Sequence, residues 1–179
     1  MLEQPVNQAQ VVTGYLGPRQ GDPDHASVKV LASLLGGGMG SRLLTEVRDR
    51  RGLAYAAGVL SATRVGRSAF ITYLGTAPEN VDTVEAVIRG EIERVRIEPP
   101  SADELSRAKA RVLGSLAMDR RTNARQAWYL AFVELVGAAR DFPLRYARAV
   151  EAVTPAEVAT AAGRWLVRPS IVVVRPPRS

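Results

Sequence analysis

The chain has 179 residues, 46% hydrophobic and 23% charged, the balance of a soluble globular protein long enough to bury a core. It has no cysteine, which removes disulfides, thiolate catalysis and sulfur-ligated zinc, and its single histidine, His25, falls short of the ligand set a zinc site draws on. The formal charge of +6 and pI near 10.3 arise from bases interleaved with acids, as in Glu46-Val47-Arg48-Asp49-Arg50-Arg51, so they predict mixed-sign helix faces and no nucleic-acid partner.

In chain order, Gln8 to Leu16 carries Val11, Val12, Thr13 and Tyr15, which is strand chemistry closed by Gly17-Pro18. Gly21-Asp22-Pro23-Asp24 reads as a loop. From His25, the spacing of Val28, Leu31, Ala32 and Leu35 predicts a helix of about three turns that ends at Gly36-Gly37-Gly38. Ser41 is placed to cap a second helix with Leu43, Leu44 and Val47 on its apolar face, and Gly52 stops it. Ala54 to Thr63 and Ser68 to Thr76 read as a hairpin turning around Val65-Gly66-Arg67.

Thr76-Ala77-Pro78-Glu79 has the form of a capping box, and Val81, Val84, Val87, Ile88, Ile92 and Val95 sustain a helix up to Pro99-Pro100. Ser101-Ala102-Asp103-Glu104 opens a long helical stretch, broken around Asp119 to Asn123, that runs to Gly137. Pro143 and Thr154-Pro155, the latter with Glu157, start two shorter helices, and Ser170 to Val174 reads as a final buried strand. This order predicts an α+β fold, a mainly antiparallel sheet with helices on one face, in a single domain over 1–179. No apolar run reaches the roughly 18 residues of a membrane span, and Met1 to Val12 lacks the pattern of an export signal. A soluble protein of a bacterial-type cytoplasm or periplasm is expected.

Candidate chemistry is sparse. The glycine run follows a predicted helix and lacks a Gly-Lys-Ser/Thr ending, so a tight helix-to-helix bend fits it better than a phosphate cradle. Arg48 and Tyr55 combine a fork of fixed donors with a hydroxyl, suited to holding a peptide carbonyl or an oxyanion; by residue type alone, an ion pair and a packed ring serve as well. His25 reads as a solvated or capping side chain. Glu79, Glu91, Glu93 and Glu104 read as solvating charges, and Trp128, Tyr129, Phe132 and Leu135 as a core face.

Leu34-Leu35-Gly36-Gly37-Gly38, Ser41-Arg42-Leu43, Glu46-Val47-Arg48 and Gly52-Leu53-Ala54-Tyr55 together resemble the C-terminal half of the M16 metallopeptidases, the relatives of pitrilysin, insulin-degrading enzyme and mitochondrial processing peptidase. The likeness continues through Thr76-Ala77-Pro78-Glu79, Glu104-Leu105, Ala108-Lys109, Val153-Thr154-Pro155 and Val172-Val173-Val174. It implies the two-layer metallohydrolase fold that the processing peptidases share with LuxS. It further implies two homologous halves closing around a peptide substrate. In the family the N-terminal half holds zinc through His-x-x-Glu-His and a distal glutamate. No such motif occurs here, so the resemblance implies the non-zinc half, cofactor-free and inactive by itself. A zinc-bearing half is then the implied partner, in cis or in trans. Arg48 and Tyr55 match the arginine and tyrosine that catalytic members bring to the zinc site. The alternative within the same superfamily is a structural or recognition subunit, like the core proteins of a respiratory complex. An isolated half is further expected to self-associate through the surface built for its partner.

Overall fold

A computed structural model describes residues 2–135 and 137–177 of the chain. The short strand β1 (Leu2–Glu3) leads into β2 (Ala9–Gly17), in which Ala9, Val11, Thr13 and Tyr15 point into the core while Gln10 and Leu16 stay outside. That two-residue alternation is what a half-covered strand requires. β2 pairs antiparallel with β4 (Ser68–Thr76), from Ala9 opposite Thr76 to Gly17 opposite Ser68. On its other side it pairs antiparallel with β5 (Ser170–Arg175). β3 (Ala57–Ser61) lies antiparallel outside β4, and β1 lies parallel outside β5, so the order is β1-β5-β2-β4-β3.

Helices cover one face of this sheet. α1 (His25–Gly36) and α3 (Val81–Ile97) bring Leu31, Leu35, Val84, Ile88 and Ile92 against Val11, Tyr15, Phe70 and Leu74 in one apolar cluster. Each such side chain contributes about 1.5–3 kcal/mol by leaving water. α4 (Ala102–Asp119), α6 (Phe142–Ala152) and α7 (Pro155–Trp165) add Leu105, Ala108, Val150, Val158 and Ala162 to the same cluster. The other face, with Leu16, Leu60, Tyr73 and Val172, is exposed. The chain is therefore α+β with a mainly antiparallel sheet covered on one side, as the order of elements predicts.

Two of the three expected capping boxes form. Ser101 accepts from the Glu104 N–H while the Glu104 carboxylate accepts from the Ser101 N–H, and Thr154 and Glu157 do the same at α7. The box expected at Thr76 does not. Thr76 ends β4 with its side chain turned inward, its Oγ1 donates to the Leu53 carbonyl at 2.6 Å, and a 3₁₀ turn over Pro78–Asn80 precedes α3. Between α1 and β3, the predicted second helix is a single α-turn, α2 (Arg42–Leu44), running into a π-helical turn, Thr45–Arg50.

Other expectations give way to packing. β3 is shorter than its β-rich sequence suggests, and in β5 Val172 is exposed because it lies on the open sheet face, while Ile171, opposite Thr13 on the helix side, is also left exposed. In α5 (Asn123–Leu135) the aromatic residues are not core: Trp128 is 49% and Leu135 85% exposed, and Val133 is the buried residue. Their helical spacing instead stacks Trp128 on Phe132 at 5.1 Å, with the Arg125 guanidinium 4.6 Å above the indole.

The end of α1 lies close against β3. A Cβ on Gly36 would sit 2.5 Å from both the backbone N and Cγ2 of Val59, a separation no side chain tolerates. Alanine at a helix position normally gains up to ~1 kcal/mol over glycine, but the backbone contact cannot yield and overpacking costs about 1–3 kcal/mol. Gly36→Ala is therefore expected to lower the urea midpoint; an unchanged or raised midpoint would contradict this packing.

Candidate functional site

The two residues singled out from sequence reach the surface by a short, heavily tied route. Ser41 takes the extended N-cap conformation, and Leu43, Leu44 and Val47 anchor α2 and the π-turn in the core. Gly52, at φ +61, reverses the chain in a conformation that favours glycine. The chain then folds back on the helix it has left: the Val47 carbonyl accepts from the N–H of Leu53 at 2.7 Å and of Ala54 at 3.3 Å. Thr76 holds the Leu53 carbonyl from the other side. Tyr55 follows two residues later, ahead of the edge strand β3, and is 90% exposed.

Arg48 occupies the π-turn, a geometry that recurs at functional sites. Its Nε donates to Asp49 Oδ1 at 2.7 Å and its Nη1 lies 3.2 Å from Met39 Sδ. The hydrogen bond to Asp49 is the main influence raising its pKa above the ordinary arginine value, and the Tyr55 oxygen acts in the same direction. Arg48 thus has a carboxylate neighbour, as its plainer role anticipates. Tyr55 does not pack into the sheet.

A second charged group fixes the helix that carries Arg48. Arg42 grips Glu104 of α4 with Nε to Oε1 at 2.7 Å and Nη2 to Oε2 at 2.9 Å, a bidentate pair whose arginine side chain is 8% exposed. The Arg42 hydrogen bond, aided by the Ser101 N–H, depresses the Glu104 carboxyl to about 2. Glu104 is therefore a structural ion and not a solvating charge. Glu91 also departs from its expected solvated role: it is 5% exposed, burial raises its pKa, and it pairs with Arg94 at 3.1 Å.

His25 is buried, 6% exposed, at the first position of α1, where a solvated or capping-region side chain was expected. Its Nε2 lies 3.3 Å from Thr63 Oγ1 and its ring 5.3 Å from that of Tyr146; burial, reinforced by Lys29, pushes its pKa down to about 4. It opens α1, whereas the glycine run leading to Arg48 leaves the opposite end of that helix. Among the described residues no group of three or more His, Cys, Asp or Glu is arranged to hold a metal ion. With its only imidazole committed to Thr63, this chain's donor set does not fit zinc.

A family model described as the peptidase M16 inactive domain matches residues 1–112. An uncharacterised zinc protease of Streptomyces coelicolor is 33% identical over 118 residues, which is 66% of this chain and 26% of that protein. One of Mycobacterium tuberculosis is 28% identical over 168 residues, 94% of this chain and 38% of that protein. The crystal structure of a peptidase M16 inactive domain from Pseudomonas fluorescens superposes with TM-score 0.87 at 25% identity, covering 99% of this chain and 43% of that one. The inactive peptidase domain from Bordetella parapertussis shares the fold, with TM-score 0.84 at 18% identity over 100% of this chain and 98% of that one. The chain thus spans well under half of the curated relatives it matches.

Two titrations follow from the buried charges. The imidazole is unique in the chain, so its proton resonances are expected to titrate near pH 4 instead of 6.5. The unfolded chain then takes up the proton first, so this contribution to stability is present above pH 6.5 and lost as pH falls through about 4; a midpoint near 6.5 would place His25 in solvent. Glu104→Gln should cost about 1.5–3 kcal/mol near neutral pH, the scale of a charge-assisted hydrogen bond. The native carboxylate's contribution is complete above pH 4.5 and disappears as pH falls through about 2, so denaturation midpoints of the two proteins should converge with acid. Equal stability at neutral pH would mean that the pair adds nothing.

Proposed function

From the premise that the chain belongs to the M16 peptidase family as its inactive, C-terminal type of domain, we propose that it is the non-zinc half of a zinc endopeptidase. In this reading residues 1–179 form one domain that encloses a peptide substrate against a zinc-bearing half, supplied in cis or in trans. The zinc proteases among its relatives imply the metal in the complete enzyme. When bound there, zinc would polarise the scissile carbonyl and activate water.

The observation that carries the proposal is the joint presentation of Arg48 and Tyr55. Arg48 is oriented by Asp49 and Met39, while Tyr55 projects into solvent from a backbone fastened at Leu53. A guanidinium held this way donates to a peptide carbonyl without losing much freedom on binding. A phenolic hydroxyl brought to the same carbonyl donates to its oxygen as that oxygen gains negative charge, an interaction stronger in the transition state than before it. Neither group activates water, so the chain alone has no peptidase activity. Exposure of Tyr55 in the separate half accords with a donor that meets its acceptor only on closure.

The test is turnover of a peptide by this chain combined with its zinc-bearing half. Arg48→Ala is expected to lower kcat by about 100- to 1000-fold, the scale of losing an oxyanion donor, and Tyr55→Phe to lower it by a smaller factor. Zinc content should be unchanged in both. Wild-type turnover in both variants would overturn the donor roles and leave a recognition subunit.

A further inference from the structure

Along the flank of α1, between the edge strand β3 and α4, runs a cavity of about 510 Å³. Lys29 of α1 lines it, half-buried, and its Nζ donates to the backbone carbonyl of Ser61, which lines the cavity from β3. No acidic side chain pairs with this amine among the described residues, and burial lowers its pKa to about 8. An ammonium ion withdrawn from water without a counter-charge gives way to the free base.

The groups that face Lys29 from the surrounding elements supply no such counter-charge. Asp119 of α4 is taken by Arg125 through both carboxylate oxygens, at 2.6 and 2.7 Å, and Arg111 of the same helix adds positive charge. The phenols of Tyr129 on α5 and Tyr146 on α6 stay neutral, because burial raises the pKa of both. Tyr73 of β4 brings a third ring to the cavity. His25, one turn earlier on α1, is kept uncharged by burial and, after it, by Lys29 itself. The other lysine of the chain, Lys109, also donates to a backbone carbonyl, that of Glu151 at 2.7 Å, but it lies outside this cavity and in the field of the Glu157 carboxylate. A desolvated amine opening on an aromatic-walled cavity is the setting in which lysine attacks a carbonyl carbon.

We propose that Lys29 is a carbonyl-capture site, which admits a small aromatic aldehyde to this cavity and holds it covalently as an imine. The amine nitrogen adds its lone pair to the aldehyde carbon and gives a carbinolamine. The former carbonyl oxygen then leaves as water with the two protons of the amine, and a carbon–nitrogen double bond remains. The tyrosine rings and Leu116 supply the surface on which the aryl group packs. Neither Arg48 nor Tyr55 lines the cavity, so the site is independent of the peptidase reading.

The whole chain would be incubated at pH 7.5 with benzaldehyde and cyanoborohydride, which reduces the imine to a stable benzylamine, and the label located by peptide mass spectrometry. Lys29 and Lys109 are the two lysines of the sequence, so each is read separately. An amine of pKa about 8 is about one quarter free base at this pH, against about one thousandth for an ordinary lysine. Part of that advantage is lost because a less basic amine is a weaker nucleophile, which leaves Lys29 labelling at least about tenfold faster than Lys109. The rate at Lys29 should saturate with benzaldehyde, and the preference should vanish in concentrated urea. Ser115→Trp, which places a ring in the cavity from an exposed position of α4, should slow labelling of Lys29 at least about fivefold and leave Lys109 unchanged. Circular dichroism would verify that this variant is folded. Equal rates at the two lysines, a preference that survives urea, a rate at Lys29 that stays linear in benzaldehyde, or undiminished labelling in folded Ser115→Trp would overturn the site.

Discussion

The geometry of this molecule turns on the backbone of Leu53. Its N–H is given to the carbonyl of Val47, whose side chain is wholly buried, and its carbonyl receives the hydroxyl of Thr76 at the end of β4. One residue thereby joins the π-turn to the sheet. Release of either bond would free the segment from Gly52 to Ala56, and with it the direction of Tyr55. Because Val47 and β4 belong to the core, the position of an exposed phenol is inherited from apolar packing some distance away. Inheritance of this kind lets a side chain remain exposed without being loosely placed.

A second constraint acts at the start of the same helix. Arg42 and Glu104 are 62 residues apart in the chain, and their bidentate pair holds α2 against the first turn of α4. Glu104 also closes the capping box with Ser101, so one carboxylate satisfies a helix terminus and a partly buried guanidinium together. Such a pair contributes modestly to net stability but strongly to register, since a lone Arg42 would be a buried charge with no counter-ion. Gly36 completes the arrangement from α1 by letting the helix end approach Val59. The glycine run therefore works as a bend with its neighbours packed tightly around it.

Much of this was legible in the residues themselves. Periodicity marked the helices and strands, Ser101-Ala102-Asp103-Glu104 and Thr154-Pro155-Ala156-Glu157 marked two helix starts, and the order of elements identified the fold class. Family membership was legible too, because short segments kept their order along the chain and the His-x-x-Glu-His motif was missing. These features are local, or depend only on sequence order, so no knowledge of spatial neighbours is needed to read them.

What covers a face, and what a polar group meets there, was decided by the tertiary structure. Helical spacing places Trp128 and Phe132 together but does not say whether another element packs on them, and here none buries the indole. Thr76 has the sequence of a cap and the position of a strand end, and its buried location gave the hydroxyl to Leu53. His25, Glu91 and Glu104 look alike as polar residues near helix starts or on helix faces. Burial neutralises the first, raises the pKa of the second, and an arginine from another helix depresses that of the third. The sequence by itself therefore determined which residues form helices and strands, and which family they belong to. Only the fold determined the environment of each charge, because desolvation and ion pairing depend on neighbours brought together from far along the chain.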